Sequence, residues 1–384
     1  MPDFEKKIIL KQHTPLIHFQ ADQDDAALRA TELKPKLDRF LIKYLFKNDF
    51  DSYKRYLIGR DDNKSKNDFA GKESFDYKLR ISAAQKQVVY INRRNTDNYE
   101  KDIVKCINNV PYFGDLKAVY NEYIHVNIFS FHEDFLSQIS EELLIYFFTI
   151  TNFGSRQNKG FGSFMLDGVI KDRIGKCLEK YHNSGYWNAV CGFSKVVPGE
   201  LCLQKIHRDY QLLKSGSNKP YDKSKLFIYM RNKNIGWEKK RIKQEMKKNN
   251  ILFRQEHPFT GNDNQNEEFK YIRVLLGLSE HYDFLKPVSN GRISINIIHK
   301  DKKIDRFRSP LHFKVFDNVI YLFYDQIDKR IFDQEFIFSI NPDDKHFKPV
   351  NFQLPSPAER EFDILDFLKE SLDNSWKYIE VKNG

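Results

Sequence analysis

The chain has 384 residues, of which 40% are hydrophobic and 30% charged, and it carries a formal net charge of +10. That composition supplies packed cores, excludes wholesale disorder and suits two domains better than one. The basic balance favours a polyanionic partner, nucleic acid above all. The opening MPDFEKKIILKQ and every later apolar run are too short for a signal peptide or a bilayer span, so a soluble, cytoplasmic protein is expected.

In chain order, EKKIILKQHTPLIHF reads as a strand broken near Pro15. Leu33, Leu37, Phe40, Leu41, Tyr44 and Leu45 then recur at helical spacing, with Pro35 placed in a first turn. Residues 48–75 are polar and predict an exposed insertion; YKLRISA and QVVYIN read as strands, and residues 93–120 as loop apart from VPYFG. IHVNIFSF predicts a strand, and DFLSQISEELLIYFFTITNFG a helix, with Asp134 as N-cap and Gly154 near its C-terminal end. The stretch GSRQNKGFGSF follows, and FGSFML is the next strand. Strand, helix, strand, strand, helix, strand is the order a ferredoxin-like or RRM-like domain requires.

The second half opens on DGVIKDRIGKCLEKYHNSGYWNAV and reaches a basic helix carrying Lys239, Lys240, Arg241, Lys243, Lys247 and Lys248. EEFKYIRVLLGLSEH reads as helical. GRISINIIH, FRSPLHFKVF and VIYLFY read as strands, the first two joined by the charged turn KDKKID. EFIFSI adds a further strand and FDILDFLKESL a short terminal helix. The expected fold class is α+β, two tandem ferredoxin-like (RRM-like) domains with insertions, divided as 1–168 and 169–384.

The sequence carries neither a P-loop nor a dinucleotide-binding fingerprint. In GSRQNKGFGSF the lysine precedes the second glycine, so a P-loop fails, and the stretch follows a helix, where a dinucleotide fingerprint follows a strand. Cys106, Cys177, Cys191 and Cys202 lack metal spacing and read as small buried thiols. No cofactor and no metal is expected; Asp22, Asp24 and Asp25 read as solvated loop carboxylates. In the loop, Gly154, Gly160 and Gly162 permit close backbone approach, and Ser155, Arg156 and Lys159 suit phosphate. Phe161 either stacks on a base or plugs the core. Two readings stand side by side: a loop that tracks an RNA backbone, or a helix cap followed by a bulged turn. Arg29, Lys34, Lys36 and Arg39 near the start of the first helix are placed to meet phosphate as well.

Three pieces of this sequence together resemble the RAMP superfamily of CRISPR proteins. GSRQNKGFGSF is similar to that superfamily's glycine-rich loop, placed after a helix of an RRM-like domain. TPLIHF with RATELKPKLDRFL, and LLGLSEH followed by RFRSPLHFKV, resemble the first subunit of the type III-B (Cmr) effector complex. Residues 48–75 and 205–265 lie outside the resemblance. It implies two tandem ferredoxin-like domains that bind guide RNA and help hold target RNA near one end of a multi-subunit complex. A different subunit cuts in that complex, so this one is expected to lack nuclease activity. It adds Arg306 and Arg308, around RFRSPL, to the RNA-binding candidates. The alternative within the superfamily is a metal-independent endoribonuclease that processes precursor guide RNA, with His13 or His18 as its early catalytic candidate.

Overall fold

A computed structural model describes residues 4–18, 28–61, 63–69, 71–83, 86–91, 105–107, 116–182, 192–197, 201–218, 220–254, 267–279, 281–288, 291–341 and 349–379. The first half gives β1 (Glu5–Gln12), α1 (Ala30–Tyr44), β2 (Lys78–Ala83), β3 (Tyr123–Phe129), α2 (Glu133–Gln138), α3 (Glu141–Ile150), β4 (Phe164–Leu166) and α4 (Lys171–His182). The second gives β5 (Gly192–Val196), α5 (Cys202–Lys214), α6 (Glu238–Lys248), β6 (His281–Leu285), β7 (Arg292–His299), β8 (Leu311–Phe316), β9 (Val319–Tyr324), β10 (Glu335–Asn341), β11 (Val350–Pro355), α7 (Ile364–Ser371) and β12 (Lys377–Ile379). These fall into two compact units, one of residues 1–207, 312–324 and 376–384, the other of 208–311 and 325–375. The expected boundary at 168 lies inside the first unit.

In the first unit, β1, β2, β3 and β4 form a sheet in the order β2-β3-β1-β4, and each neighbouring pair is antiparallel. That order, fed by strand, helix, strand, strand, helix, strand, is the ferredoxin-like arrangement the sequence predicts. Side-chain alternation fixes the register: Leu10 opposes Ile124 and Leu166, and Leu79 opposes Ile128. The face so formed packs on Leu33, Leu37, Phe40 and Leu41 of α1 and Leu144, Phe147 and Phe148 of α3. Pro35 lies in the second turn of α1, not the first, and sits on its exposed side.

The same topology recurs. Along the chain β5, α5, β8, β9, α7 and β12 repeat the order of elements, and the strands lie as β8-β9-β5-β12. Two long insertions separate α5 from β8 and β9 from α7. The second unit holds an antiparallel sheet β6-β7-β10-β11, with Ile295 opposite both Tyr282 and Ile340.

Several expectations are corrected. The helix over 134–154 is two helices: α2 stops at Gln138, and Ser140 starts α3 by accepting a hydrogen bond from Leu143 N at 3.2 Å. Asp134 caps neither; its carboxylate takes the Tyr56 hydroxyl at 2.6 Å and the Arg55 guanidinium at 2.7 Å. Residues 48–75 are not merely an exposed insertion. Tyr53, Tyr56, Leu57 and Phe75 are at most 1% exposed, and the rings of Tyr53, Tyr56 and Phe75 pack on Phe46. Within 93–120, residues 116–120 form a strand paired with 87–91. The segment EEFKYIRVLLGLSEH is a short strand, Glu268–Lys270, then a 3-10 turn, Ile272–Leu276. β7 and β8 lie in different sheets, so KDKKID is no hairpin turn. Asp22, Asp24 and Asp25 lie outside the described residues.

Candidate nucleic-acid interface

The glycine-rich loop is closed at its base by Asn152 and Ser163, which bridge across it, and by Phe153 N donating to Gly162 O at 3.0 Å. Its glycines serve this chain's own backbone. Gly154 has φ +76, and a Cβ there would stand 2.6 Å from Ile17 O; Gly162 has φ +63, and a Cβ would stand 2.0 Å from Phe153 O. The amides are used internally as well. Ser155 N donates to Ile17 O at 2.8 Å, Gly162 N to Pro15 O at 2.9 Å and Gly160 N to Gln157 O at 3.2 Å, while Gly160 O accepts from the Thr14 hydroxyl at 2.6 Å. The loop is therefore a clamp on the segment after β1, and those three amides face protein oxygens.

Helix α1 holds it from one side. Lys36 Nζ donates to Glu32 Oε1, Asn152 O and Gln157 Oε1, each at 2.8 Å, and lies 4.7 Å from the Phe153 ring centre. The same Glu32 oxygen accepts from Gly154 N at 2.7 Å. β8 holds the loop from another side. Asn152 Nδ2 donates to Phe313 O at 2.8 Å, Phe313 N to Asn158 O at 3.1 Å and the Ser163 hydroxyl to Val315 O at 2.5 Å. Lys314 is 1% exposed, and its Nζ reaches Thr151 O at 3.0 Å and Phe164 O at 2.9 Å, one residue beyond each end of the clamp. Burial, and after it the charge of Lys36, hold the Lys314 pKa well below the lysine range. The two stretches that carry the resemblance, GSRQNKGFGSF and SPLHFKV, are thus hydrogen-bonded partners.

The candidate residues now sort by position. Lys34 is committed inward: its ammonium bonds Asp38 Oδ2 and Ser74 Oγ at 2.9 Å and Phe75 O at 2.8 Å, and sits 4.0 Å from the Tyr77 ring centre. Lys36 is committed to the clamp. Phe161 is 0% exposed, so of its two readings the core plug fits, because a ring without exposed surface has no face to offer a base. Lys159 Nζ is buried and lies close enough to His207 to push that imidazole's pKa down, after burial itself. Arg39, Ser155 and Arg156 are exposed, and Arg156 adopts φ +58. Arg29 is partly exposed at the N-cap of α1. On α1, Arg29, Glu32, Lys36 and Arg39 share one side at helical spacing. Glu32 and Lys36 grip the loop, and an arginine stands at either end of that grip.

Arg306 and Arg308 belong to the second unit, on the segment between β7 and β8. Both are exposed, and Arg308 pairs with Asp325 at 3.1 Å. The basic helix α6, also in that unit, is less of a charged face than its sequence implies. Lys240 is 8% exposed and pairs with Glu267 at 3.1 Å, Arg241 pairs with Glu245 at 2.6 Å, and of the six cations only Lys247 and Lys248 are exposed.

His13 and His18, the histidines of the nuclease alternative, are both partly buried. His13 has its side chain 3% exposed, lies against the Phe316 ring at 4.9 Å and accepts from Asp317 N at 3.1 Å through Nδ1. Burial, opposed by Asp317 and helped by Lys314 and Lys11, brings its pKa down to about 4. His18 is partly buried, and burial and Arg29 lower its pKa.

Fold and loop together define a RAMP-type chain, two ferredoxin-like sheets in tandem with a clamped glycine-rich loop between α3 and β4 of the first. The family model of the Cmr1 N-terminal domain matches residues 4–217 and that of the Cmr1 C-terminal domain residues 221–383. The chain belongs to the Cmr1 family, the first-subunit family of type III-B (Cmr) CRISPR effector complexes that the sequence resembles. The crystal structure of Cmr1 from Pyrococcus furiosus in its apo form aligns over 98% of this chain and 99% of that one, at 10% identity and a TM-score of 0.41. No curated protein matches. Among the described residues, no helix is long and apolar enough to cross a membrane.

Proposed function

We propose that this chain is a guide-RNA-binding subunit of a type III-B CRISPR effector complex and has no nuclease chemistry of its own. It helps hold guide and target RNA near one end of the assembly, beside other subunits. The observation that carries this reading is the set Arg29, Arg39 and Arg156, arranged on a helix and loop locked together by Lys36 and Glu32. Guanidinium groups fixed on a rigid scaffold suit phosphates along a backbone, and leave base identity to be read by pairing with the guide. The clamp supplies the rigidity, and the arginines supply the charge. His13 supports binding over cutting. An imidazole that stays neutral down to about 4, inside the core, is poorly placed to take a proton from a ribose hydroxyl.

The test is purification of the tagged full-length chain from its native host, with sequencing of bound RNA. Small RNAs that share one repeat-derived end are expected, together with other complex subunits. Purified protein incubated with repeat RNA is expected to leave it intact. Specific cuts that vanish in His18→Ala would replace this reading with the processing nuclease. Recovery of no RNA and no partner subunit would remove it.

A further inference from the structure

The outer face of the first sheet is unused by the clamp, and its composition is unusual for a solvated surface. Alternation sends Glu5, Lys7, Ile9 and Lys11 of β1, Tyr123, His125, Asn127 and Phe129 of β3, and Lys78, Arg80 and Ser82 of β2 to the side away from the core. The register turns them into rows. Lys78 stands beside Phe129, Arg80 beside Asn127 and then Lys7, Ser82 beside His125 and then Ile9, and Tyr123 beside Lys11. Tyr123 and Phe129 are each 37% exposed and Ile9 42%. Just beyond the strand, Phe131 is 77% exposed and extends the aromatic line, its ring 5.0 Å from that of Phe129 and 6.2 Å from that of Phe4.

Charge on this face is one-sided. Lys7, Lys11, Lys78 and Arg80 face outward against Glu5, which pairs with Lys7 at 3.1 Å, and Asp317, which approaches Lys11 at 3.4 Å. Lys78 and Arg80 are exposed and have no acidic partner among the described residues. The face closes only at β4, where Met165, opposite Lys11, is 0% exposed.

We propose that this face is a second RNA site, which takes a single-stranded segment by stacking its bases on Phe129, Phe131 and Tyr123 while Lys78, Arg80 and Lys7 meet its phosphates. Stacking needs exposed aromatic faces on a rigid base, and phosphate contact needs cations within one nucleotide's reach of them. An antiparallel sheet supplies both, because cross-strand neighbours stand about 5 Å apart. A face meant for a protein partner would be more apolar and poorer in lysine. The site shares no residue with the clamp, and the proposal does not rest on the guide-RNA reading.

The test is binding of a short fluorescent oligouridine to the full-length protein, measured by anisotropy. Phe131→Ala is the safe variant, since that ring is largely in solvent. It is expected to weaken binding about tenfold, with Phe129→Ala adding to the loss and thermal melts unchanged for Phe131→Ala. Replacing Lys78 and Arg80 by Gln is expected to lower the log–log salt slope by about 1.4. Ultraviolet crosslinks are expected on the peptides that hold Tyr123 and Phe131. Unchanged affinity in Phe131→Ala without crosslinks there would overturn the proposal. So would loss of a co-purifying protein subunit while RNA affinity holds, since the face would then be a protein contact. Because Arg29, Arg39 and Arg156 are intact in these variants, failure here leaves the guide-RNA reading standing, and failure of that reading leaves this test open.

Discussion

At the scale of single residues, two glycines with the same backbone conformation make different demands. Gly162 and Gly168 both have positive φ, +63 and +75, but a Cβ at Gly162 would overlap Phe153 O at 2.0 Å whereas nothing lies within 4 Å at Gly168. Gly168→Ala should therefore cost only the left-handed penalty of about 1 kcal/mol. Gly162→Ala must also open the loop's base and should cost about 3 kcal/mol or more. Urea unfolding of the two variants separates these cases, and equal losses would mean that the clamp is not the reason for glycine at 162. This distinction was not legible in the sequence. The glycine spacing announced a special loop, and the cations suggested phosphate. Which atoms the glycines approach depends on Ile17 and Pro15 arriving from the segment after β1 and on Phe153 facing Gly162 across the loop's base, and no local pattern reports that. The same holds for Lys34 and Lys36. Both look like solvated helix cations until Asp38, Ser74, Asn152 and Gln157 surround them.

At the scale of elements, periodicity carried far where one element had one buried face. β1, α1, β3, β7 and α7 are where the apolar spacing puts them, because each packs a stripe along one side, and β9 is where its unbroken apolar run puts it, because every residue of it is buried. It misled where polar residues do interior work. The run from 134 to 154 has unbroken helical hydrophobicity, yet a capping serine at 140 divides it. The aromatics of 48–75 are spaced too irregularly to signal a core. β8 is the element whose role is least visible in sequence: a strand with a lysine in its middle, buried between the two ends of the clamp. Its Nζ donates to Thr151 O and Phe164 O, and no carboxylate bonds it among the described residues. Lys314→Met gives up two hydrogen bonds and should cost about 2 kcal/mol. Lys314→Arg forces a permanent charge and a larger head into the same space and should cost about 4 kcal/mol or more. The sign of the pH dependence follows from the lowered pKa. As pH rises toward lysine's ordinary 10.5 the folded chain has already shed a proton that the unfolded chain still holds, so wild-type stability gains across that range. Lys314→Met should lack this gain. Denaturation of all three proteins at two alkaline pH values decides it; an arginine variant as stable as the methionine one would show that the site is wetter than its burial indicates.

At the scale of the whole chain, a ferredoxin-like topology in tandem was legible from the order of elements, but the extent of the insertions was not, because β8 and β9 return to complete a sheet begun at β5, more than a hundred residues earlier. The net charge of +10 was legible too, yet its distribution is what matters for RNA. Many of the cations behind it are internal, held in pairs such as Lys34–Asp38, Lys240–Glu267 and Lys270–Glu361. Counterion release counts only cations that reach phosphate, at about 0.7 of a log–log unit per contact on a single strand. If the clamp's arginines touch the guide, replacing Arg29, Arg39 and Arg156 by Gln should lower the salt slope for repeat-derived RNA by about 2. Replacing Lys34 and Lys36 should instead lower the melting temperature through lost interior bonds, with little change in slope. Affinities measured across a salt series for both variants make the comparison. A slope that falls equally in the two would mean that the bound RNA remodels α1 and the clamp, and a slope that falls in neither would place the guide on another surface of the chain.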